Sequence, residues 1–329
     1  MGDEYPTVRM AAVQASPVWL DRDATTAKAV KIIEEAGDAG AKIIGFPECF
    51  IPCYPDWYHW YMPLSPASVK FQRELFKNAV EIPSKTVSIL CAAARRANIC
   101  VVMGINERSP GTLGTLYNSQ LFIDQNGEVL GVHRKLVPTL TERLVYLGGD
   151  GSCIQTYPTS FGAIGGLICG ENLNSLARFA LLAQHERFHI GSWPAFLQAR
   201  QREAIGIRLR YHALEGRTFV ISSCAIFDDD CFDAMGLSAE QRNEVTVRGG
   251  GSGIIGPDGN YIVGPVDDSP QILYADADID RIIDGKLAHD LIGHSNRFDV
   301  FTLQVKTSRR VPYENLDTGE PHQESDDAV

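Results

Sequence analysis

The apolar positions change period twice in the first fifty residues. Val8 to Ala15 (VRMAAVQA) is a nearly unbroken apolar run of strand length, whereas Asp23 to Ala41 spaces its apolar residues as a helix face. Lys42 to Glu48 (KIIGFPE) is again a short buried strand, so the chain opens with a βαβ unit. Lys85 to Asn98 reads as helix and Ile99 to Glu107 as strand. Leu116 to Asp124 and Gly127 to Lys135 flank Gln125-Asn126-Gly127 as a hairpin. The sheet that contains them is therefore mixed. The alternation then repeats as strand 162–169, helix 175–184, strand 188–193, helix 202–217 and strand 218–224, with shorter strands between Gly253 and Asp278. Strands apolar on both faces need cover on both sides, which predicts a layered α/β architecture with helices outside.

With 329 residues, 44% of them hydrophobic, the chain can bury a large core. No Pro/Gly/Ser-rich linker interrupts the interior, so the reading is one domain over residues 1–313. The acidic segment Glu314 to Val329, without apolar periodicity, is expected to be disordered or an oligomer contact. A net charge of −11 argues against nucleic-acid and anionic-membrane partners, which need clustered Lys and Arg, and favours a small-molecule substrate. The N-terminus is acidic, with no basic segment followed by an apolar core, and no run of apolar residues is long enough to span a bilayer. A cytoplasmic protein is expected. Its eight cysteines are then expected as free thiols, and the lack of C-x-x-C makes a structural metal unlikely on spacing alone.

Two chemistries compete within Leu167 to His189. His185-Glu186-Arg187-Phe188-His189 spells H-E-x-x-H, which binds zinc only if both histidines lie one turn apart on a helix. The helical pattern ends near His185, and Phe188 to Trp193 reads as a strand stopped by Pro194, so the two rings should diverge. No third ligand with an obvious context follows, and no metal is expected. Gly251 to Gly256 likewise matches G-x-G-x-x-G, but Pro257-Asp258-Gly259 supplies a turn where a dinucleotide site needs a helix. The other candidate is Cys169, between a buried strand and a helix that begins near Ser175. Orphan N–H groups in such a place favour a thiolate and can stabilise an oxyanion. Glu48 and Lys135 also sit at strand ends, where site residues of α/β sheets gather, and neither is cheap to bury alone.

Four segments in order, GFPECFIPCYP, HRKLVPTLTERLVYLGGDGS, LICGENLNSLARFALLAQ and SGIIGPDG, resemble the nitrilase (carbon–nitrogen hydrolase) superfamily, its nitrilase branch in particular, over roughly Val8 to Phe301. The resemblance implies a four-layer α-β-β-α sandwich, a Glu-Lys-Cys triad, no cofactor, and assembly into homodimers or larger spirals. Carried over by motif, Glu48 is the general base, Lys135 the oxyanion stabiliser and Cys169 the nucleophile. Glu142 matches the second glutamate of the site, the alternative being a surface salt bridge with Arg143. Tyr54, Trp57 and Trp193 are candidate pocket walls, core packing being the alternative for each. Gly170 stands where many nitrilases carry Trp, which leaves a roomier wall beside the nucleophile. Cys53 replaces a usual glycine. The implied reaction converts an organic nitrile to the carboxylic acid and ammonia through a covalent thioimidate and thioester. An amide hydrolase, a nitrile or cyanide hydratase, and a catalytically silent interaction protein of the same fold are the alternatives.

Overall fold

The computed structural model describes residues 2–311 and 313; the expected tail from Glu314 onward lies outside them. In chain order the elements are β1 (Val8–Gln14), α1 (Arg22–Asp38), β2 (Ile43–Gly45), α2 (Pro66–Asn78), α3 (Lys85–Ala97), β3 (Cys100–Arg108), β4 (Leu116–Ile123), β5 (Val129–Arg134) and β6 (Ala163–Ile168). There follow α4 (Ser175–Leu182), β7 (Glu186–Trp193), α5 (Ala199–Gly216), β8 (Phe219–Cys224), α6 (Asp229–Met235), α7 (Ala239–Asn243), β9 (Gly253–Ile255), β10 (Tyr261–Val263), β11 (Gln271–Ala277) and α8 (Asp280–Ala288). The strands expected from the apolar pattern are present. Helices α2, α6, α7 and α8 had no clear signature in it.

The strands form a six-stranded sheet, ordered β11-β1-β2-β3-β4-β5, and a five-stranded sheet, ordered β10-β9-β8-β7-β6. Both are mixed: β1, β2 and β3 run parallel, as do β6, β7 and β8, with antiparallel strands at the margins. Strand alternation sorts the side chains into layers. From β1, Met10 and Ala12 point into the core between the sheets, where they join Phe122, Ile164, Phe188, Ile190, Phe219 and Ile221. Ala11 and Val13 point the other way, into a core with Ala29 and Ile33 of α1 and Leu90 of α3. On the far side, Val220 and Trp193 pack against Ile205 and Leu209 of α5, and Leu167 packs against Ala177 and Leu181 of α4. The result is the four-layer α-β-β-α sandwich.

Among the described residues no helix is long and apolar enough to cross a membrane. All eight cysteines are free thiols.

Candidate active site

The C-terminal ends of β2, β5 and β6 converge, and each delivers one side chain of the site. At the end of β2 the chain must leave the sheet within three residues, and the facing sheet and the adjacent strand β3 hold it there. Ser192 Oγ donates to the Phe46 carbonyl at 2.8 Å and Ser223 Oγ to that of Gly45 at 2.7 Å. Asn106 of β3 donates to the Ile51 and Cys53 carbonyls at 3.1 and 2.8 Å. This close approach requires Gly104, because a Cβ there would lie 1.9 Å from the Pro47 carbonyl oxygen. Glu48 is thereby fixed in the interior, with its own N–H directed at the Trp193 carbonyl, 3.3 Å away.

Lys135 follows β5 directly and is held by its N–H to the Asn118 carbonyl at 2.8 Å. Its ammonium lies 2.8 Å from Glu48 Oε1 and 2.8 Å from Glu142 Oε1, with all three side chains buried. Asn118 donates a further bond to Glu48 Oε1 at 2.6 Å, and the Tyr54 hydroxyl donates to Glu142 Oε1 at 2.7 Å. One oxygen on each carboxylate, Oε2 of Glu48 and of Glu142, has no hydrogen-bond partner. Glu142 thus turns inward to Lys135, not outward to Arg143, whose Nε donates to the Pro138 carbonyl.

Cys169 ends β6 with a left-handed backbone, φ 51°, which is unfavourable for a residue with a Cβ by about 1–2 kcal/mol. The kink starts a short 3-10 turn over Cys169–Leu173, in which the Gly170 N–H sits beside the thiol and favours its ionised form. Burial raises the Cys169 thiol well above its ordinary value, and Glu48 adds to this while Lys135 opposes it. The thiol is therefore protonated at rest and needs a base. Burial also lifts Glu48, to about 7, with Lys135 pulling down and Glu142 pushing up. A carboxylate in that range can both take and return a proton near neutrality. Burial opposes the charge on Lys135, but Glu48, Cys169 and Glu142 outweigh it and hold the ammonium well above the usual lysine range. A fixed cation beside a nucleophile is suited to a developing oxyanion or nitrogen anion.

A cleft of about 820 Å³ opens onto this cluster, lined among others by Tyr54, Thr139, Glu142, Cys169, Gly170 and Phe196. Of the four residues expected as pocket walls, Tyr54 and Gly170 line this cleft. Trp57 and Trp193 do not. Trp57 is fully buried in a loop cluster with its ring against Trp19, Tyr58 and Phe71. It is Asp56, His59 and Trp60 of the same short 3-10 segment that reach the cleft. Alternation along β7 sends the Trp193 ring outward to α5 and Ser192 inward, so Trp193 meets the site only through its carbonyl.

The H-E-x-x-H histidines diverge as expected. His185 lies exposed in the turn before β7, and His189 is buried within the strand. What the sequence did not reveal is a third group, His212 of α5, whose ring centroid lies 4.0 Å from that of His189 with the rings tilted by 43°. Glu186 Oε1 and Oε2 lie 2.8 Å from His189 Nδ1 and His212 Nε2. The ligand atoms of Glu186, His189 and His212 fall within 4.8 Å of one another, the arrangement best able to hold a metal among the described residues. They already pair with each other at hydrogen-bond length. The G-x-G-x-x-G match falls on β9 and the turn after it, with no helix following.

Comparison with known proteins agrees with this architecture. The family model described as carbon-nitrogen hydrolase matches residues 9–286. An aliphatic nitrilase of Rhodococcus rhodochrous is 39% identical over 315 residues, covering 93% of this chain and 84% of its own. A nitrilase of Bacillus sp. (strain OxB-1) is 37% identical over 98% of this chain and 94% of its own. Among solved structures, Saccharomyces cerevisiae Nit3, a member of branch 10 of the nitrilase superfamily, superposes with a TM-score of 0.69 at 21% identity, covering 88% of this chain and 96% of that one. By sequence over most of its length and by fold, this chain belongs to the carbon–nitrogen hydrolase family.

Proposed function

We propose that the protein is a nitrilase, hydrolysing an organic nitrile to the carboxylic acid and ammonia. The observation that carries the reading is the Lys135 ammonium held between the Glu48 and Glu142 carboxylates, beside a thiol that opens to a cleft. Nitrilases of 37–39% identity over nearly the whole chain support the choice of substrate class.

In this mechanism Glu48, through its unpartnered Oε2, takes the Cys169 proton as sulfur attacks the nitrile carbon. The proton passes to nitrogen, giving a thioimidate. Water then adds to the C=N carbon, with Glu48 again moving the proton, to form a tetrahedral adduct carrying S, OH and NH2. Lys135 and the Gly170 N–H stabilise charge as the adduct forms. Nitrogen is protonated and leaves as ammonia, a thioester remains, and a second water releases the acid and restores the thiol. Glu142 holds Lys135 from the other side and, with Tyr54, shapes the wall that the substrate meets.

The same proposal includes a cytoplasmic location and self-association. Exposed Leu173, Leu176, Ile207, Tyr211 and Leu214 on and beside α4 and α5 are apolar surface suited to a second copy. Size-exclusion chromatography with light scattering tests that part; a monomer at all concentrations refutes it.

The decisive experiment is ammonia release from a panel of aliphatic, aromatic and arylacetic nitriles and their matching amides, beside Cys169→Ala. Release from nitriles that disappears in the variant supports the reading. Release from amides alone moves the activity to amide hydrolysis on the same triad, and release that survives Cys169→Ala rejects the covalent mechanism.

A further inference from the structure

A second set of buried residues surrounds the Cys169 turn. Glu171 is buried and accepts three bonds: from the Leu136 N–H at 2.6 Å, from the Ile168 N–H at 3.0 Å and from His133 Nε2 at 2.8 Å. Leu136 is the residue after Lys135, and Ile168 is the residue before Cys169. One carboxylate thus grips the chain next to the cation and next to the nucleophile. His133 Nδ1 faces the Cys153 carbonyl at 3.1 Å, and a carbonyl can only accept, so this nitrogen carries a proton. With Nε2 donating to a carboxylate that already accepts two backbone N–H groups, both ring nitrogens of His133 are protonated.

The next residue of the turn is fixed in the same way. Asn172 Nδ2 donates to the Leu167 and Cys169 carbonyls, each at 3.1 Å, which settles the orientation of its amide because the reverse would set oxygen against oxygen. Its Oδ1 then accepts from His189 Nε2 at 2.8 Å. His189 Nδ1 faces Glu186 Oε1, whose other oxygen takes the His212 Nε2 proton. All of these side chains are buried. Gly165 makes room for the arrangement, since a Cβ there would lie 2.1 Å from Glu186 Oε1.

We propose that Glu171–His133 and Glu186–His189 are two buried carboxylate–imidazolium pairs that act as positioning residues, clamping the Cys169 turn through Glu171 and Asn172 so that the thiol and the Lys135 ammonium keep their separation. Glu171 sets the spacing between the two segments, and Asn172 holds the carbonyl of Cys169 itself. The imidazoliums keep each acceptor ionised or oriented without offering a titrating group to the cleft. Burial opposes charge on His133, but Glu171 and the Cys153 carbonyl outweigh it and hold the ring well above the ordinary histidine value, in agreement with the donor count.

The inference rests on Cys169 being the nucleophile of the proposed reaction, so its test needs a readout that does not depend on nitriles. The full-length wild type, Glu171→Gln, His133→Ala and His133→Gln are compared for the rate of Cys169 alkylation by iodoacetamide and for kcat and KM per titrated thiol, with folding followed by circular dichroism. Glu171→Gln is expected to lower alkylation and kcat by about 100-fold with KM within about 3-fold, as a misplaced reacting group does. His133→Gln, which keeps a neutral donor toward Glu171, should recover about 10-fold over His133→Ala, since one of the two charged-pair hydrogen bonds returns. Alkylation rates within about 3-fold of wild type in Glu171→Gln and His133→Ala overturn the proposal, whatever the substrate proves to be. Should Glu171→Gln fail to fold, the two His133 variants decide alone: equal rates overturn it. Nitrogen-15 NMR at about pH 8.5 should show the His133 ring with both nitrogens protonated; a neutral His133 ring, or stoichiometric metal bound at Glu186, His189 and His212, overturns the pair assignment.

Discussion

Two clusters of buried charge lie on either side of the Cys169 turn, and they spend their hydrogen-bonding capacity differently. Glu48, Lys135 and Glu142 leave one oxygen on each carboxylate without a partner, and Glu142, with the neighbouring Cys169, lines an open cleft. Glu186 and His189 use every polar atom of their side chains, with only His212 Nδ1 spare, and border nothing but protein. A buried acceptor left idle costs free energy unless something calls on it, so capacity in reserve next to a cleft marks chemistry. Capacity fully consumed in the interior marks rigidity. The residue types alone would not have separated the two clusters, since each sets buried carboxylate against basic side chains.

The comparison is broken most directly at its reactive side. Cys169→Ala removes one sulfur atom from a turn whose hydrogen bonds run through Glu171 and Asn172, and it should leave the melting temperature nearly unchanged. Turnover should fall by roughly 10⁴-fold or more, as for loss of a covalent nucleophile. Ammonia release and thermal melts on the same preparation check both halves; a large drop in melting temperature would show that Cys169 is structural.

Lys135→Ala comes next, because it costs on both scales. Two buried carboxylates would face each other without their cation, a change worth about 3–5 kcal/mol of stability for a broken buried pair. Loss of the cation at a developing charge should cost about 10²–10³-fold in kcat. Chemical denaturation and kcat for the same variant test the two together, and a variant that is stable but inactive would mean the carboxylates simply share a proton.

The pH dependence separates the clusters by sign. Glu48 is raised in the folded chain from 4.5 to about 7, so between these values the folded state keeps a proton that the unfolded state has released. Its contribution to stability is full below about 4.5 and is lost as pH rises through about 7, while activity, if the proposed mechanism holds and Glu48 acts as the ionised base, should rise over the same range. Glu186 behaves oppositely. Burial opposes its ionisation, but His189 and His212 outweigh that and hold its carboxyl at about 2. Its contribution is present above 4.5 and is lost as pH falls through about 2. His212, lowered to about 4 mainly by burial, adds to the same acid-side loss, between 6.5 and 4. Each carboxylate difference is on the order of 3 kcal/mol. Melting temperatures of wild type, Glu48→Gln and Glu186→Gln against pH should therefore diverge from wild type in opposite directions, and parallel curves would reject the distinction.

These outcomes bear on what the chain alone disclosed. The layers were legible because strands such as β1 and β8 are apolar on both faces, which admits few arrangements other than cover on each side. Glu48 and Lys135 stood out because a charge just past a buried strand suits no core, whereas Cys169, which a core would accept, was singled out with them by the family motifs. Trp57 and Trp193 were misplaced as pocket walls because an aromatic near a motif carries no sign of which way its ring turns, and strand parity or a 3-10 turn decides that. Helices α6, α7 and α8 are short, five to nine residues, and give a local pattern little length to show itself, while α2 sets Phe71 and Leu75 into a loop-rich cluster around Trp57 away from the strand–helix alternation. The partnership of His212 with Glu186 joins positions 26 residues apart, one on β7 and one on the helix packed over it, and no local pattern encodes it.

The smallest expected effect concerns Gly170, and it sharpens the comparison by asking how much of the cleft side is rigid. Gly170 has an ordinary φ, and a Cβ built there meets only the Thr139 Oγ1, at 3.4 Å, an ordinary contact. Gly165, in the closed cluster, would instead drive a Cβ into Glu186 Oε1. Gly170→Ala should therefore fold normally and keep kcat within about 3-fold, while Gly165→Ala should lose about 1–3 kcal/mol of stability by overpacking. The Gly170 N–H beside the thiol survives the substitution, so any change in Gly170→Ala should fall on KM for bulky nitriles, through the narrower wall, and leave small nitriles unaffected. Steady-state kinetics with one small and one branched nitrile read this out. A loss of kcat shared equally by both would mean that the turn at Gly170 is as tightly clamped as the interior behind it, and that the open side of the site owes its room to the cleft and not to the glycine.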